Sequence, residues 1–154
     1  MEKITSFTIN HDILEIGMYI SRVDGDIVTY DVRMVRPNCG VYPSTASMHT
    51  IEHLFATYAR NSRLTDHVVY VGPMGCRTGF YLLTRGISHE EAIQLVKDSF
   101  EFILTFEGPI PGAEKSAECG NYLDHDLAAA KQDVLPLVER LRKGYTPADL
   151  VYKE

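Results

Sequence analysis

Between positions 49 and 53 the chain reads His-Thr-Ile-Glu-His. A helix turns by about 100° per residue, so positions three and four apart share a face. His49, Glu52 and His53 therefore fall within one arc, and Met48, Ile51, Leu54, Phe55 and Tyr58 fall on the opposite side. Two imidazoles at i and i+4 are a metal-ligand spacing, and a carboxylate beside them is placed to move protons at the metal. The plain alternative is a surface helix that happens to carry two histidines. A tetrahedral catalytic site takes three protein ligands and keeps the fourth position for water or substrate. Candidates for the third are Cys119, Cys76, His125, His67, His11 and the acids. Cys119 is favoured, because a helical region is expected to begin near Tyr122 and a helix N-terminus stabilises a thiolate. Cys76 lies in Pro73-Met74-Gly75-Cys76-Arg77-Thr78-Gly79, a constrained connection where it suits either ligation or proton transfer. His125 reads as an exposed helix residue in preference to a partner of the site. His67 and His89 read as structural or exposed, and Cys39 as a loop thiol.

The elements that must carry these groups are readable from periodicity. Met18 to Val23 and Ile27 to Val35 flank Asp24-Gly25-Asp26, a turn signal between two strands. In the second strand Val28, Tyr30, Val32 and Met34 alternate with Thr29, Asp31 and Arg33, which predicts a buried and a wetter face. A loop follows, and Ser44, Thr45 or Ser47 caps the histidine helix, which runs to about Arg63. Short strands are expected at His67–Gly72 and Phe80–Thr84. Ser88-His89-Glu90-Glu91 is a capping box that opens a helix with Ile93, Val96, Phe100 and Ile103 as its core stripe. After a polar loop over Glu107–Glu118, Pro136 either kinks the last helical region or starts a second helix, with Gly144 as its stop. Strands early and helices late predict an α+β class, an antiparallel sheet covered by helices.

The 154 residues predict a single domain with a substantial core. No apolar run approaches the roughly 18 residues of a membrane span, and no signal-peptide pattern opens the chain, so a cytoplasmic protein is expected. A net charge of −6 without a basic cluster argues against nucleic acid as a partner. Three widely spaced cysteines suit ligands or nucleophiles better than disulfides.

Five segments in order resemble the LuxS-type S-ribosylhomocysteine lyases along nearly the whole chain. They are Ser6-Phe7 with His11; Asp31-Val32-Arg33 with Pro37-Asn38; His49-Thr50-Ile51-Glu52-His53-Leu54; Pro73 through Tyr81; and Cys119-Gly120 followed by His125. The resemblance implies one divalent metal per subunit on His49, His53 and Cys119, natively Fe2+ with Zn2+ able to replace it. It implies Glu52 and Cys76 as the acid/base pair and Ser6, His11 and Arg33 as substrate-binding residues. The implied architecture is a homodimeric two-layer sandwich with active sites at the interface. The implied reaction splits S-ribosylhomocysteine into homocysteine and 4,5-dihydroxy-2,3-pentanedione, the autoinducer-2 precursor of quorum sensing, by carbonyl migration and β-elimination. Tyr70 stands where family members commonly carry an aspartate, and Val35 where a cysteine is usual. Two other classes use similar residues: an inverted zincin would hydrolyse peptides with Glu52 activating water, and a binding module would close a structural metal with four ligands.

Overall fold

A computed structural model describes residues 1–154. Four strands, β1 (Gly17–Asp24), β2 (Ile27–Arg33), β3 (Val68–Pro73) and β4 (Gly79–Arg85), form one antiparallel sheet in the order β1-β2-β4-β3. Three helices, α1 (Thr45–Asn61), α2 (His89–Thr105) and α3 (Leu127–Arg142), complete the α+β architecture. Register explains which sheet face they cover. Met18 pairs with Val32, Val32 with Phe80, and Tyr30 with Leu82, so alternate positions of neighbouring strands point to the same side. All five residues are fully buried, together with Ile51, Leu54 and Phe55 of α1 and Val96, Phe100 and Ile103 of α2. The Phe55 ring packs edge-on at 6.1 Å from Phe80 and 5.1 Å from Phe100, joining sheet, α1 and α2. Each such buried phenylalanine contributes roughly 2–3 kcal/mol of transfer free energy.

The helix signals act locally. The Ser44 hydroxyl accepts from the Ser47 N–H to open α1, and Ser88 and Glu91 form the expected reciprocal box on α2. Two readings need correction. The last helix begins at Leu127, not near Tyr122, because Asp126 is the cap and accepts from the Ala129 N–H at 2.9 Å. Pro136 starts no second helix; it sits inside α3 and gives up one hydrogen bond toward the carbonyl of exposed Gln132.

The wetter face expected of β2 is not wet at Asp31 and Arg33, which are 1% and 3% exposed. The C-terminal segment covers them. Tyr152 stacks on Tyr19 with ring centroids 4.8 Å apart, and its hydroxyl donates to Asp31 Oδ2 at 2.7 Å. Just upstream, the Tyr145 hydroxyl accepts from the Met18 N–H at 2.8 Å and donates to the Met18 carbonyl. No helix is long and apolar enough to cross a membrane.

Candidate active site

α1 presents His49, Glu52 and His53 half-buried on the arc away from its core stripe. Each imidazole is oriented from behind. His49 Nδ1 lies 2.9 Å from the Asp124 carbonyl and His53 Nδ1 2.8 Å from the Pro111 carbonyl. A carbonyl only accepts, so both Nδ1 atoms carry the proton and both Nε2 lone pairs face forward. Gly112 makes the second contact feasible: it sits at φ 72, and a Cβ there would stand 3.3 Å from His53 Nδ1.

Cys119 meets these nitrogens, its Sγ 3.3 Å from His49 Nε2 and 3.8 Å from His53 Nε2. Donor atoms held about 2.0–2.3 Å from one tetrahedral ion stand roughly 3.5 Å apart, so the three fit a single metal. Two imidazoles and a thiolate suit a first-row transition ion better than magnesium or calcium. Cys119 arrives there by a different route from the one expected. It lies in the loop seven residues ahead of the Asp126 cap, and the Asn121 N–H reaches its sulfur at 3.5 Å in place of a helix N-terminus.

His125, a candidate ligand that the sequence reading set aside as an exposed helix residue, belongs to the cluster. Instead of standing exposed on a helix, it stacks on His49 at 3.9 Å and joins a group whose ligand atoms all lie within 4.8 Å of one another. Thr50 explains its orientation. The Thr50 hydroxyl donates to the Ala46 carbonyl at 2.9 Å, leaving its oxygen to accept from His125 Nδ1 and from the Asp126 N–H, both at 3.0 Å. His125 Nε2 is then a buried acceptor without a partner. Burial first, and the neighbouring His49 and His53 second, push the His125 pKa down to about 4. The readable signal was Asp126 as a helix cap, which puts His125 ahead of the helix.

Cys76, Ser6, His11 and Arg33 occupy a second place. They line a groove of about 460 Å³ with Asn38 and Tyr81, and none of the four histidine–cysteine cluster residues lines it. Cys76 is exposed on the β3–β4 turn, where Arg77 holds φ 60. Gly79 lets that turn dock, since a Cβ there would run into the Val32 carbonyl. Beneath the groove Arg33 donates from Nη2 to Asp31 Oδ2 and from Nη1 to Thr78 Oγ1, both at 2.6 Å. Burial works against the Arg33 charge, but the Asp31 carboxylate outweighs it and holds the guanidinium above its ordinary range. His67 bonds the Arg85 carbonyl at 2.8 Å, and His89 bonds the Tyr30 hydroxyl at 2.6 Å. Both are structural, as expected. Cys39 is an exposed loop thiol. Tyr70 is 54% exposed and lines a separate shallow groove that shares Ser6 and Tyr81.

A family model described as S-ribosylhomocysteinase (LuxS) matches residues 4–144. An S-ribosylhomocysteine lyase of Clostridium beijerinckii is 48% identical over 158 aligned positions, covering 99% of this chain and 99% of its own. The proteins of the same name from Phocaeicola vulgatus and Finegoldia magna are each 44% identical, covering 99% and 100% of this chain and 98% and 100% of their own.

Proposed function

The chain belongs to the S-ribosylhomocysteinase (LuxS) family, and from that premise we propose that it is a metal-dependent carbon–sulfur lyase acting on S-ribosylhomocysteine. The products are homocysteine and 4,5-dihydroxy-2,3-pentanedione, the precursor of autoinducer-2. The observation that carries this reading is the convergence of His49 Nε2, His53 Nε2 and Cys119 Sγ beside Glu52. A thiol and a third imidazole complete the cluster where an inverted zincin would use a carboxylate.

The thioether bond is inert until a carbonyl stands β to the sulfur-bearing carbon. The sugar carbonyl therefore moves from C1 to C2 and then to C3 before homocysteine leaves by β-elimination. His49, His53 and Cys119 would hold the ion, Fe2+ in its native form with Zn2+ able to replace it. When bound, the ion supplies a Lewis acid for the enediolate charge, an effect of several kcal/mol at typical metal sites. Glu52 and Cys76 take and return the carbon-bound protons, each such step contributing about 10²–10⁴-fold. Ser6, His11 and Arg33 hold the substrate beside Cys76. Tyr70 replaces the aspartate usual in the family, which changes the contact to the homocysteine end if the aspartate side chain makes it and changes little if only the backbone does.

Two half-sites in one chain, the metal cluster with Glu52 and the groove with Cys76, support a homodimer whose active sites lie between subunits. Residues 1–154 then act as one lyase domain in a two-layer sandwich. A cytoplasmic location and no nucleic-acid or membrane partner are part of the proposal, supported by the net charge of −6 without a basic cluster. The test is free-thiol release from S-ribosylhomocysteine by metal-loaded protein, followed by mixing Arg33→Ala with Glu52→Ala chains. Recovery of activity in mixed dimers is expected, since some regain one intact site. Metal-loaded protein that releases no thiol overturns the lyase reading, and no recovery despite verified subunit exchange overturns the shared site.

A further inference from the structure

The groove that holds Cys76 is backed by a chain of side chains reaching the C-terminal segment. Thr78 is 2% exposed, and its hydroxyl has two neighbours: Arg33 Nη1 at 2.6 Å and Cys76 Sγ at 3.0 Å. A guanidinium can only donate, so the first contact uses a lone pair of Thr78 Oγ1. The Thr78 proton then has one acceptor within reach, the Cys76 sulfur. A hydrogen bond donated to sulfur favours the thiolate, which is the form that takes a proton from carbon.

Arg33 is held in turn. Its Nη2 donates to Asp31 Oδ2, and the Tyr152 hydroxyl donates to the same oxygen at 2.7 Å. Tyr152 is locked by its stack on Tyr19. It therefore shares the Asp31 charge with Arg33 and leaves more of the guanidinium's field directed at Thr78 and Cys76. Asp31 Oδ1 and Arg33 Nε have no partners, so Tyr152 and Thr78 are the two side chains that bond this pair from outside.

We propose that Thr78 is a positioning residue for Cys76, donating to its sulfur a hydrogen bond that favours the thiolate form, and that Tyr152 anchors this relay through Asp31 and Arg33. The proposal rests on the lyase reading for its purpose, and on geometry alone for its test. The other titratable groups around the sulfur are His11 from the N-terminal segment, Tyr42 from the loop before α1, and Tyr81 of β4. Arg77, next in the turn, is committed to the Pro43 carbonyl at 3.0 Å. None of these bonds Thr78.

The experiment follows the rate of Cys76 alkylation by iodoacetamide against pH, read on the Cys76 peptide by mass spectrometry so that Cys39 and Cys119 do not contribute. Thr78→Val is expected to raise the midpoint of the profile by about one pH unit, tenfold less thiolate at a fixed pH below it. Thr78→Ser keeps the hydroxyl and is expected to restore the wild-type profile. Tyr152→Phe keeps the stack and is expected to move the midpoint the same way by a smaller amount. A Thr78→Val profile that superimposes on wild type overturns the relay, and a superimposable Tyr152→Phe profile overturns its anchoring. If Thr78→Val does not fold, Thr78→Ala takes its place, with the same expected shift and the same refuting result. Alkylation needs no turnover, so shifted profiles in a protein that releases no thiol from S-ribosylhomocysteine would sink the lyase reading and leave the relay standing.

Discussion

Thr50 joins the histidine helix to the loop that carries Asp124 and His125, and replacing it by valine isolates that junction. Valine keeps the shape and removes the oxygen. Two donors, His125 Nδ1–H and the Asp126 N–H, lose the acceptor that each reaches at 3.0 Å. A buried donor left unpaired costs about 1–3 kcal/mol. Both groups are only partly buried, so the lower half of that range applies to each and the sum is about 2–4 kcal/mol. At roughly 2–4 °C per kcal/mol for a chain of this size, Thr50→Val is expected to melt about 5–15 °C below wild type. Thr50→Ser keeps the oxygen and loses one methyl, a cost of about 1 kcal/mol. The same loop supplies the Asp124 carbonyl that orients His49. Zinc affinity in Thr50→Val should therefore fall by about 10–100-fold, the usual effect of losing an orienting contact behind a ligand. Calorimetry on metal-stripped protein separates the fold from the metal, and competition with a chelator measures the affinity. A Thr50→Val protein that melts within about 2 °C of Thr50→Ser and binds zinc equally would refute this account of the junction.

His49→Ala, His53→Ala and Cys119→Ala are each expected to lose bound metal on gel filtration; a full equivalent retained by Cys119→Ala would hand the third ligand to another residue. Glu52→Gln and Cys76→Ala should keep their metal and lose at least about a hundredfold in kcat, more than any change in KM, and near-normal turnover in Cys76→Ala would leave Glu52 as the only proton carrier. In metal-free protein, unfolded His125 takes its proton near pH 6.5 and the folded residue only near pH 4. The unfolded state then binds more protons in between, so stability declines as pH falls from about 6.5 to about 4 and levels off below. His125→Gln should flatten the urea midpoint over that window, and an unchanged slope would remove His125 as its cause.

The sequence showed what local pattern controls and missed what distant chain covers. The α1 ligand arc and the Ser88/Glu91 box depend on residues three and four apart, and both stand where periodicity put them. His125 owes its place to Thr50, 75 residues earlier, and no period joins the two. Cys119 stands beside the two imidazoles, but not for the reason expected, since the helix that was to stabilise it starts at Leu127. Asp31 and Arg33 looked half-wet because alternation describes one strand at a time. Tyr152, 121 residues away, is what seals Asp31.

The Tyr145 hydroxyl has a consequence for how the sheet meets other chains. β1 is an edge strand, and edges with free N–H and C=O groups recruit foreign strands. By engaging both backbone groups of Met18, one phenol replaces a rung of the missing neighbour. Gly17 beside it has no side chain to push the ring away, since a Cβ there would stand 2.9 Å from the same oxygen. The start of β1 is thus shut to strand addition by a side chain that donates and accepts at once, an aggregation safeguard that a phenylalanine at 145 would not provide.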